Sequence, residues 1–291
     1  MRSLLKILLL FVVFPLWGNA LPVQESAPNR KKKSYITTFV DTLVQRVRNQ
    51  AKLQEGNRPD YDADIFIKGN ADFIKRNRLQ QYLPYLNRAD KHINNYYAEF
   101  IGGVTYTNPN IYNHTLFSIS SNKKKFVERH IETIFAPNLR LNVYSQYLYG
   151  NLYSPLAYKS GRYYKFSLDS IWQAKGQTYY KVAFTPNIAN FKFVEGYFIT
   201  TDRNWGIREM KFRGGMEVMD FTNRVLMGDE GTPGEFLPKK LDISTYAHIL
   251  GNRLLGTYSS TIKYNKIEES HFVKDRGREK YNLSLQYNTK V

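Results

Sequence analysis

The chain predicts a mostly antiparallel α+β fold: one large curved sheet, an N-terminal helix and a few shorter helices. Three observations predict it. From Tyr153 to Phe212 apolar and polar residues alternate in successive short runs, the period-two signature of strands with one buried face. Short turn sequences separate these runs, so neighbouring strands run antiparallel as a meander. Ahead of them Ile36, Phe39, Val40, Leu43, Val44 and Val47 recur at helical spacing and give a single apolar stripe.

Taken in order, the first 20 residues read as a secretory signal peptide. Arg2 and Lys6 form a basic start, Ile7 to Trp17 an apolar stretch, and Gly18, Asn19 and Ala20 a small-residue cleavage site. A membrane-spanning anchor is the competing reading, but the apolar stretch is far below the roughly 20 residues a spanning helix needs, and Pro15 interrupts it. Residues 21–33 are polar and proline-containing, as in a flexible linker. Ser34 is placed as the N-cap of the helix, which runs to about Glu55 and Gly56. Its stripe either packs on the sheet or inserts into a partner or membrane face, and packing is the preferred reading. Residues 34–268 then form one mixed domain, and 269–291 a tail.

Within the domain Tyr61, Ala63, Ile65 and Ile67 alternate with polar residues and predict a short half-buried strand. Phe73 to Leu86 is mixed and broken by Pro84. Tyr96 to Thr107 reads as a strand bent at Gly102 and Gly103, Asn108 to Asn110 as a turn, and Ile111 to Ser120 as the next strand. Lys125 to Ala136 reads as helical, stopping before Pro137. Tyr164, Phe166 and Leu168 share a face, as do Tyr180, Val182 and Phe184, with Lys175 and Gly176 turning between them. Further strands follow at Phe191 to Ile199, from Trp205, and near Met216 to Met227, Lys239 to Ile249 and Leu254 to Tyr264. A sheet of this kind can half-close around helices and leave an apolar concave face. In the tail Tyr281, Leu283, Leu285 and Tyr287 alternate with polar residues, which suits an edge strand of this sheet or a strand of an outer-membrane barrel.

The formal charge is +17, and without Arg2 and Lys6 the 42 basic residues become 40 against 25 acidic, leaving +15. No nucleic-acid motif accompanies this excess, and export removes the opportunity for such a partner. Anionic envelope surfaces are the natural counterpart. Arg30 to Lys33 and Lys123 to Lys125 are read as solvated linker and turn. With no cysteine, the chain has neither disulfides, nor thiolate metal sites, nor the acylated cysteine of a lipoprotein. Its stability must come from a core. A cysteine-free exported β-rich chain suits a bacterial envelope, where the sequons at Asn113 and Asn282 are coincidental.

No catalytic arrangement emerges. His92, His114, His130, His248 and His271 stand in no metal-ligand spacing and read as surface or structural histidines. Asp62 and Asp64 share a strand face, a pattern as common in solvated strands as in paired-acid sites. Ser154 before Pro155 has no base in a recognised arrangement, and no nucleophile elbow, phosphate loop or dinucleotide fingerprint is present. The 23 tyrosines suit interfaces, sugar stacking or a half-exposed sheet. Tyr144, Tyr147, Tyr149 and Tyr153 could line a binding surface or simply pack.

Tyr61 to Lys68, Tyr97 to Pro109, Ser154-Pro155-Leu156, Tyr163 to Asp169, Tyr180 to Pro186, Gly196 to Trp205 and Leu237-Pro238 resemble, in that order, the central region of the domain-of-unknown-function family 5686. The resemblance extends from Ser34 to about Lys290 and implies an exported Gram-negative envelope protein. Family members typically add an N-terminal carboxypeptidase-regulatory-like sandwich and a C-terminal outer-membrane barrel; the stretch between Ala20 and Ser34 is too short for such a sandwich, and the sequence stops where a barrel is expected to begin. The family supplies no catalytic residues. Its central region also looks like the half-barrel of periplasmic lipoprotein carriers, a likeness of fold.

The resulting expectation is an exported, non-catalytic protein of the periplasm or the periplasmic face of the outer membrane. Its curved sheet binds an apolar or envelope-derived partner: a lipid, a lipoprotein or an outer-membrane protein. Phe166, Tyr180, Phe184 and Phe198 are the candidate ligand-facing residues, or alternatively pure core. No cofactor, metal or nucleic acid is expected. A truncated periplasmic part of a barrel protein and a glycan binder or hydrolase are the alternatives.

Overall fold

A computed structural model describes residues 30–77, 94–108, 111–122, 141–149, 151–216, 218–268 and 280–286. The signal peptide, residues 21–29 of the linker, the helix expected at Lys125 to Ala136, most of the segment up to Leu86, and His92, His130 and His271 lie outside the described residues.

Helix α1 spans Arg30–Gly56. It therefore begins within the expected linker, and Ser34 lies inside the helix instead of capping it. Lysine and arginine are good helix formers, and none of Arg30 to Lys33 is a glycine or proline that would delay the start. From Phe39 onward the helix belongs to the same compact unit as the sheet. The strands are β1 (Tyr61–Lys75), β2 (Asn95–Thr107), β3 (Ile111–Ser121), β4 (Tyr147–Leu148), β5 (Leu152–Tyr153), β6 (Tyr164–Ala174), β7 (Gln177–Pro186), β8 (Glu195–Thr201), β9 (Ile207–Met216), β10 (Met219–Met227), β11 (Pro238–Ile249), β12 (Asn252–Ile267) and β13 (Lys280–Leu285). The shorter helical element among the described residues is a 3-10 turn at Ser160–Arg162.

Eleven strands form one curved, open sheet in the order β13-β3-β2-β1-β12-β11-β10-β9-β8-β7-β6, and β4 pairs separately with β5. From β6 to β12 the chain is the expected meander. Strand β1 is longer than the expected short strand, because β2 and β12 flank it along most of its length and hold Gly69, Asn70 and Ala71 in register. The bend foreseen at Gly102 and Gly103 is a bulge between Ile101 and Gly102 against β3. The sheet departs from purely antiparallel pairing at one edge. There β13 runs parallel to β3, Leu283 opposite His114, so the amphipathic tail strand is an edge strand of this sheet.

Two hairpin turns, Lys175-Gly176 and Leu250-Gly251, take the left-handed region. Lys175 and Gly176 have φ of 51° and 73°, as a two-residue hairpin with right-twisted strands demands. Gly196 is fixed by space: an added Cβ would lie 2.0 Å from the Lys211 carbonyl oxygen on β9.

The inward face carries two large clusters, besides a small one of Phe73 and Tyr96. One joins Val40, Leu43, Val44, Val47 and Ala51 of α1 to Tyr164, Val182, Phe184, Phe198, Met210, Phe212 and Val225 of β6 to β10. The other gathers Ile65, Ile67, Phe100, Tyr106, Tyr112, Leu116 and Ile262 from β1, β2, β3 and β12. The helical stripe thus packs on the sheet.

Candidate functional site

The candidate site is the inward face of β6 to β10 with the helix that covers it. Alternation along β7 turns Tyr180, Val182 and Phe184 to this face, and β8 adds Phe198 opposite Val182. Phe184 and Phe198 are 1% and 0% exposed, with ring centroids 6.4 Å apart. Phe166 and Tyr180 are half-buried at the margins of the same cluster. The four sequence-chosen aromatics therefore come together, two beneath the helix and two beside it.

Helix α1 is held there by its stripe and by cations over rings. The Arg46 guanidinium lies 4.8 Å from the Trp205 ring centre, and Trp205 in turn stacks on Tyr180 at 5.9 Å. Arg48 sits 5.0 Å over Phe166, and burial lowers its pKa against the opposing pull of Asp41. Lys52 lies 5.7 Å from Tyr158, and Phe39 meets Tyr180 at 6.0 Å. Such contacts are worth roughly 0.5–2 kcal/mol each, and none needs the fixed geometry of a buried ion pair. Trp205 adopts φ 57°, unusual for a bulky residue, which brings its ring to Arg46.

Sequence reasoning missed the junction of the two clusters. Arg58, just after α1, is 6% exposed. Its guanidinium lies 4.4 Å from the Tyr106 ring centre and donates hydrogen bonds to the hydroxyls of Tyr112 and Tyr61, the latter at 3.1 Å. Burial alone would lower its pKa, but the tyrosine oxygens of Tyr112, Tyr61, Tyr106 and Tyr264 outweigh this and raise it. Burial correspondingly pushes Tyr61 and Tyr264 upward. Two voids of about 10 Å³ flank Arg58, each with room for about one water and none for an acyl chain.

The other sequence-noted residues have structural surroundings. His114 is buried and stacks parallel to Tyr112 at 6.1 Å, while His248 is exposed. The Ser154 hydroxyl accepts the Leu156 N–H at 3.1 Å. Asp62 and Asp64 lie opposite Lys266 and Lys263. Among the described residues no group of three or more histidines, cysteines or acids gathers as metal ligands. Tyr144 is buried and its hydroxyl accepts the Ile207 N–H at 3.0 Å, whereas Tyr147 is exposed and edges onto Tyr153 at 5.7 Å. The acids Glu230 and Glu235 of the loop after β10 are also engaged. Tyr179 donates to Glu230 at 2.9 Å, while Glu235 pairs with Arg208 at 3.1 Å and accepts from Asn204 at 2.8 Å.

Fold and site define an α+β scaffold: an open sheet whose apolar inward face is covered by an amphipathic helix. The chain belongs to the family of unknown function DUF5686, which it matches over residues 43–265. No curated protein matches it. Among solved structures it is similar to a LolA-superfamily protein from Nitrosomonas europaea, at 9% identity over 80% of this chain and 94% of that one, with a TM-score of 0.28. A putative outer membrane lipoprotein-sorting protein domain from Vibrio parahaemolyticus aligns at 7% identity over 78% and 94%, with a TM-score of 0.29. The MucA/MucB complex of Pseudomonas aeruginosa aligns at 6% identity over 77% and 99%, with a TM-score of 0.25.

Proposed function

We propose that this is an exported, non-catalytic envelope protein that binds an acyl chain, or an apolar segment of an envelope partner, on the inward face of β6 to β10. Helix α1 occupies that face when the ligand is absent. One observation carries the reading. A continuous apolar surface from five strands is covered by a helix whose flanks are held by cations over aromatic rings. These contacts are soft, and they sit on the face an acyl chain would use.

The test is a titration with a fluorescent fatty acid. Replacing Arg46 and Arg48 by alanine removes about 1–2 kcal/mol of helix docking and should tighten binding about tenfold. The chain has no cysteine, so Phe39→Cys and Tyr180→Cys can be joined selectively by a short bismaleimide, and the tethered protein should not bind. Equal binding by the wild-type, double-alanine and tethered proteins would refute the reading.

A further inference from the structure

We propose that the end of the sheet between the loops preceding β6 and following β7 is a docking surface for an anionic lipid bilayer. Tyr158, Ile188 and Phe191 enter the interfacial layer, and Lys159, Arg162 and Lys192 face the headgroups. This surface adjoins the C-terminal half of α1, whose Lys52 lies 5.7 Å from the Tyr158 ring centre.

The surface is assembled from segments distant in sequence. The Tyr153 N–H donates to the Lys192 carbonyl at 2.8 Å, the Asn187 N–H to the Tyr163 carbonyl at 2.7 Å, and the Asn187 side chain to the Arg162 carbonyl at 3.2 Å. Beneath, Tyr153, Tyr163 and Phe193 form a ring cluster with centroids 5.3–6.1 Å apart. On this rigid base Tyr158 is 73% exposed, Phe191 56% and Ile188 53%. Lys159, Arg162 and Lys192 are exposed among them.

The charge is one-sided. No acidic residue occurs between Leu141 and Leu168 or between Asn187 and Val194. Of the nearby helix acids, Glu55 accepts the Gln146 N–H at 3.0 Å and Asp41 interacts with Arg48. Exposed aromatic and aliphatic side chains among unopposed cations are what an anionic interface selects, since rings favour the headgroup layer and each basic residue adds attraction. A second exposed apolar group, Phe66 and Ile101 paired across β1 and β2 with Phe117 nearby, lacks this character. Its neighbours are Asp64 and the Lys68–Glu99 ion pair.

The test is co-sedimentation of the purified protein with vesicles of equal parts phosphatidylglycerol and phosphatidylcholine, against phosphatidylcholine alone. The wild type should prefer the anionic vesicles and be released by salt. The reversal Lys159→Glu, Arg162→Glu, Lys192→Glu should weaken partition about 100-fold or more. A second variant, Tyr158→Ser, Ile188→Ser, Phe191→Ser, keeps the charge and should also lose binding, which guards against the reversal failing to fold. The charge-matched control Lys175→Glu, Arg253→Glu, Lys263→Glu, away from this end, should bind nearly as the wild type does. Equal partition of the wild type onto both vesicles, or equal weakening by control and reversal, would overturn the proposal.

Discussion

A buried guanidinium without a carboxylate partner among the described residues has to be held by other means, and at Arg58 those means are tyrosines from β1, β2, β3 and β12. The Arg58→Ala variant removes the hydrogen bonds to Tyr61 and Tyr112 together with the ring contacts of the guanidinium and should cost about 3 kcal/mol in denaturant unfolding. Lysine, which lacks the planar fork, should recover less than half of it. A loss below about 1 kcal/mol for alanine would dismiss the cage as a stabilising feature. The same burial makes a pH prediction. Tyr164 is pushed up from 10.0 to about 12, chiefly by burial, and Tyr61 and Tyr264 are raised as well. The folded state then holds protons that the unfolded chain releases. Stability should be level up to about pH 10 and fall as pH rises toward 12, in step with tyrosinate absorbance. Stability that stayed level between about pH 10 and pH 12 would contradict this. None of it was legible in Asn57-Arg58-Pro59, because the rings come from four strands and only the fold assembles them. By contrast, alternation alone identified Phe184 and Phe198 as inward-facing.

At the scale of elements, periodicity was the dependable signal, and pairing partners were what it lacked. The stripe Val40, Leu43, Val44 and Val47 was readable because burial imposes the helical period on sequence. The helix start was misplaced because Ser34 offers a good cap that the chain does not use. Strand β13 showed its alternation but not its partner: alternation carries no information on pairing, and parallel pairing with β3 joins residues about 170 apart. Helix α1 also supports a prediction. In the Arg46→Ala, Arg48→Ala protein, amides of α1 from Phe39 onward should exchange with deuterium about tenfold faster or more, while those of β7 and β8 keep their protection. Uniform acceleration across helix and sheet would mean that helix and sheet open as one unit.

The whole molecule divides its surface by face. On the outward face of β6 to β10, charges are paired across strands: Asp169 with Lys181, Glu195 with Arg213, and Glu209 with Arg224. The inward face is apolar and covered, and the end near Tyr158 is aromatic and cationic. The overall excess of +17 was plain in the sequence, but its distribution depends on loops that meet only in space. On the proposed function, α1 yields its place to an apolar ligand. The most direct measurement is the distance between spin labels at Asn49→Cys on α1 and Thr185→Cys on β7, both exposed positions in a chain free of native cysteine. Pulsed electron resonance should give one narrow distribution without ligand and a longer one on saturation with a fatty acid. A distribution unchanged at saturating fatty acid, whether or not the acid is bound, would contradict the account.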